Sequence, residues 1–136
     1  MAEETGPGGE PRGEAASAEQ IYEAEIGRIT DEERDLATRH LEKIREERSN
    51  EKIEDLAADS ARVAAIAGNS GITAEFLEKT SLDQDSKMEI LGQCYHYQAA
   101  HMENFASREE ITGEKQQALL ELAKVIREQG AVLESR

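Results

Sequence analysis

The chain is 136 residues long, enough for one domain around one core, and thirty acidic against sixteen basic residues leave a net charge of −14. That field repels phosphate backbones and anionic headgroups, so direct nucleic-acid binding and membrane-surface binding are disfavoured. A single cysteine, Cys94, excludes an intrachain disulfide, no apolar run approaches the ~20 residues of a membrane span, and the start lacks a basic and then apolar leader, so the expected location is the cytoplasm.

Residues 1–16 hold Pro7, Pro11 and a cluster of glycines but no large aliphatic side chain after Met1. Burial there cannot offset the entropy of ordering, and a disordered acidic tail is expected. A single helical domain is expected over residues 17–136, an all-α bundle of four to five helices with its longest helices in the C-terminal half. Ser17 with Gln20 forms a capping box, and Ile21, Tyr22, Ile26 and Ile29 recur behind it at helical spacing.

Thr30 with Glu33 repeats the capping signal before a highly charged helix whose apolar stripe is thin: Leu36, His40, Leu41 and Ile44. Opposite charges one turn apart, such as Asp35 and Arg39, support that helix and imply no chemistry. Ser49 or Asn50 is the expected cap of a third helix. It carries Ile53, Leu56, Ala57, Ser60, Val63, Ala64 and Ala67 on one face, small residues that let neighbouring backbones approach. Gly68 to Gly71 then supply turn chemistry, and a short helix is expected over residues 73–79.

Ser81 with Gln84 is the next expected cap, opening a helix that runs without proline to about Ala106. Its core stripe reads Met88, Leu91, Tyr95, Ala99, Met102 and Ala106. A second apolar line runs beside it: Ile90, Cys94, Tyr97 and His101, with Phe105 at its edge. The last helix starts between Ser107 and Gly113. Leu119, Leu122, Ile126, Gln129 and Leu133 read as alternating seam positions, while Ala118, Val125 and Val132 repeat every seven residues alongside.

Catalytic constellations are absent from this pattern. Cys94 and His101 share a face but lie about 10 Å apart along the axis, too far for one ion. His96 points elsewhere, and the nearest approach to a Glu-x-x-His di-iron motif is Gln98 with His101. Cys94 therefore reads as a core residue and His101 as a hydrogen-bonded one. The acidic pairs Glu32/Glu33, Glu46/Glu47 and Glu109/Glu110 sit at helix ends, where solvent and the helix dipole account for them. Residues 59–80 carry helix-turn-helix spacing, yet the second helix would offer Glu75 and Glu78 to the bases, with only Lys79 as donor.

No catalytic, metal or cofactor site is expected. The chain reads as a non-enzymatic interaction protein, a homo-oligomer with a dimer favoured, or the partner of another protein. Its expected interface is Ile90, Cys94, Tyr97, His101, Phe105, Ala118, Val125 and Val132. Two further readings are an acidic regulator that occupies a basic site on a nucleic-acid-binding protein, and a small metal-dependent or thiol enzyme. The negative charge is spread along the chain, which makes it a solubility device before it is a docking patch.

Overall fold

Two capping boxes open the ordered chain where the sequence places them. Ser17 and Gln20 exchange backbone-to-side-chain bonds of 2.9 and 3.2 Å, and Thr30 and Glu33 do the same at 3.0 and 3.1 Å. They start α1 (Ala18–Gly27) and α2 (Asp31–Glu47), and are followed by α3 (Ile53–Ile66), α4 (Ser70–Glu78), α5 (Gln84–Ala106) and α6 (Gly113–Glu134). The computed structural model describes residues 16–135, and all of the expected tail except Ala16 lies outside the described residues. The described chain is all-helical, with six helices in place of four to five. The short α1 and α4 both bury an apolar face, Ile21 with Tyr22 and Phe76 with Leu77, and so count as members of the bundle.

Three helix starts differ from the sequence reading, and the first is that of α4, which begins at Ser70, three residues before the expected 73. Helix α3 begins after Lys52, with no side-chain cap. Helix α5 is capped by Asp83, whose Oδ1 accepts from Ser86 N at 2.7 Å. Helix α6, N-capped by Thr112, starts at Gly113, inside the expected interval, while Ser107 closes α5, its hydroxyl donating to Asn104 O at 2.7 Å. In each case a candidate cap lies within a few residues of another, and packing decides between them. Gly68, at φ +76°, makes the left-handed turn that ends α3, and Asn69 caps α4 by accepting from Ile72 N at 3.0 Å.

Helix α4 is the centre of the molecule. It touches α1, α2, α3 and α5, and its residues Thr73, Ala74, Glu75, Phe76 and Leu77 are buried in succession. Nine residues are too few for an isolated helix, so α4 is held by this burial. Glu75 goes inside with its charge partnered, by Arg34 at 3.3 Å and Lys79 at 3.1 Å. The residues 59–80 thus form a packed helix pair whose second helix is a core strut with no free reading face.

Helices α2 and α6 occupy opposite edges. Helix α2 touches only α3 and α4, and α6 only α5 and α1. The antiparallel α5–α6 pair is joined by a seam of small residues. Gly92 faces Gly130, and Gln116 Nε2 donates to Ala106 O at 2.9 Å, so Ala99 falls opposite Ala123 midway between. Gly92, Ala99 and Ala106 on one helix, and Gln116, Ala123 and Gly130 on the other, are each spaced by seven. The backbones come so close that a Cβ on Gly92 would stand 2.8 Å from the Gly130 carbonyl oxygen. Leu119, Ile126 and Leu133 join the seam as expected, but Ala123 and Gly130 take the places read for Leu122 and Gln129, which stay exposed. Close approach selects the small side chain, and the large one turns outward.

Candidate functional site

The charge and thiol chemistry of the chain is dispersed. Cys94 is fully buried, with the Thr73 hydroxyl 3.6 Å from its Sγ. His96 pairs with Glu134 at 2.8 Å, His101 Nε2 meets the carbonyl of Ile66 at 2.9 Å, and His40 lies tilted against the Phe76 ring at 5.8 Å. These four residues have four separate surroundings. Burial pushes the Cys94 thiol up to about 11 from an ordinary 9.0, reinforced by the negative charge of Glu25 and partly offset by the bond from Thr73.

A protonated, enclosed thiol has two measurable consequences. Alkylation of Cys94 is expected to proceed only at the rate of global opening, so its half-life should track denaturant unfolding. The folded thiol also keeps its proton between pH 9 and 11 while the unfolded thiol loses it, so this stabilisation is full below pH 9 and disappears as the pH rises towards 11. Tyr22 and Tyr95, both raised above 10.0 mainly by burial, extend the alkaline loss. Urea unfolding at stepped alkaline pH measures it, and Cys94→Ala should flatten the first part of the fall.

What the fold leaves open is apolar. Along α2, Ala37 and Leu41 are buried, whereas Leu36, His40 and Ile44 of the same stripe form one wall of a groove of about 590 Å³. Ser60, Val63 and Ala64 of α3 form the other wall, and Leu56, Ile72 and Phe76 lie between. Leu36 is 56 % exposed and Val63 69 %, the largest exposures of any large apolar side chains in the described residues. Small residues on α3 explain the gap: Ser60 and Ala64 cannot fill the space that α2 leaves. Of the stripe Leu36, His40, Leu41 and Ile44, Leu41 belongs to the core and the other three line the groove.

The second open surface lies on the α5–α6 pair. At ~1.5 Å per residue the 23-residue α5 is about 34 Å long, and the 14-residue α3 covers only about 21 Å of it. The second stripe of α5 is therefore divided. Ile90 and Cys94 lie under α3 and α4 and are part of the core, so neither is available to a partner. Tyr97, His101 and Phe105 lie towards the end that runs past α3, and are exposed. The second stripe of α6 divides in the same way: Val132 packs on the core, while Ala118 and Val125 are exposed, joined by Leu122 at the same angle around the helix.

Both stripes run into the body at one end, so both face the body side of the pair. From the last turn of α3 outwards the α5–α6 pair is an arm with one apolar face, on which Leu122 and Val125 lie level with the end of α3 and Phe105 and Ala118 lie beyond it. Arg127 and Glu103 tie the arm together at 2.6 Å, and Arg108 sits over the Phe105 ring at 5.1 Å. Of the residues that periodicity singles out, Tyr97, His101, Phe105, Ala118 and Val125 are exposed on α5 and α6, whereas the groove has no distinct signal in the sequence, since small residues opposite a thin stripe also describe a tightly closed helix pair.

Among the described residues no helix is long and apolar enough to cross a membrane. Comparison with known proteins adds no guide to function: no family model matches the chain, and no curated protein or solved structure is detectably similar to it.

Proposed function

We propose that this protein is a non-enzymatic interaction module that docks helices on two apolar surfaces, the α2–α3 groove and the inner face of the α5–α6 arm. The observation that carries the reading is the groove. Large side chains more than half exposed stand on its facing walls over an apolar floor, the form in which an amphipathic helix is received through side chains spaced three and four apart. The arm supports it as a second surface, because its apolar face continues a stripe that is core elsewhere in the same helices.

The rim charges of the groove are partnered within the chain. Arg48 holds Glu51 at 2.6 Å and Asp59 at 3.5 Å, and Arg62 lies 3.9 Å from Asp59. Docking is then driven by apolar area and shape, and is expected to be insensitive to salt; steep weakening with ionic strength would instead favour the acidic-regulator reading. Replacing Leu36, Val63, Leu122 and Val125 together by Glu should abolish both self-association and partner capture. If light scattering and pull-down of the full chain are unchanged by the four substitutions, the reading is wrong.

A further inference from the structure

We draw no further inference here: the strongest candidate, the apolar groove between α2 and α3 with Leu36 and Val63 on its facing walls, carries none because nothing in the structure shows what covers it.

Discussion

Replacing Gly130 by alanine is expected to destabilise the fold by about 1–3 kcal/mol, although alanine is the better helix former by nearly 1 kcal/mol. The reversal of sign is the informative part. Its Cβ would stand 2.9 Å from the Gly92 carbonyl oxygen and 3.1 Å from Tyr95 Cβ, and neither a backbone oxygen nor a buried Cβ can move aside without separating the helices. Gly92→Ala meets the same obstacle from the other side, at 2.8 Å from Gly130 O and 3.2 Å from Leu133 Cβ. Gly27→Ala is the control: nothing lies within 4 Å of the added carbon, so the propensity gain should be kept. Denaturant unfolding of the three single variants compares them directly. A Gly130→Ala protein as stable as Gly27→Ala would remove the close seam from the account.

Tyr95→Phe should cost about 2–3 kcal/mol for the loss of one hydroxyl. That hydroxyl donates at 2.6 Å to Glu25, a carboxylate only 3 % exposed whose other partner is the Arg28 guanidinium at 3.5 Å. Removing the donor leaves a buried charge short of a bond, which costs more than a bond that is never made. A double-mutant cycle with Glu25→Gln isolates the pair, because the neutral amide needs less compensation in the same space. The two substitutions together should cost less than their sum by 1 kcal/mol or more, about the coupling expected of such neighbours. Additivity would show that Tyr95 stabilises by packing alone.

Local rules in the sequence carry much of this structure. Ser17 with Gln20 and Thr30 with Glu33 close the capping boxes they spell, Asp35 and Arg39 pair at 3.2 Å, and Gly68 turns the chain where α3 ends. These features are settled within one helical turn. What was not legible depends on how long and how close the neighbours are. Leu122 and Ala123 compete for the same seam, and only the approach of Gly92 to Gly130 decides for the smaller. Cys94 and Phe105 share a stripe and differ in burial because α3 ends between them.

The same reason separates the expected interface from the open surfaces. Ile90, Cys94 and Val132 satisfy their apolar character inside the chain, whereas Tyr97, His101, Phe105, Ala118 and Val125 remain exposed on α5 and α6. The exposure of Leu36 and Val63 is not legible in the sequence, because periodicity reports which face of a helix is apolar, not whether its neighbour is large enough to cover it.

The central claim is that Leu36, Val63, Leu122 and Val125 are covered when the protein associates. Hydroxyl-radical footprinting of the full chain at low and high concentration tests it most directly, with Leu120 as an internal reference, since it is exposed on the opposite side of α6 from Leu122. On concentration, labelling should fall at the four positions and stay constant at Leu120. Unchanged labelling at the four, or protection that appears at Leu120 instead, would contradict the account.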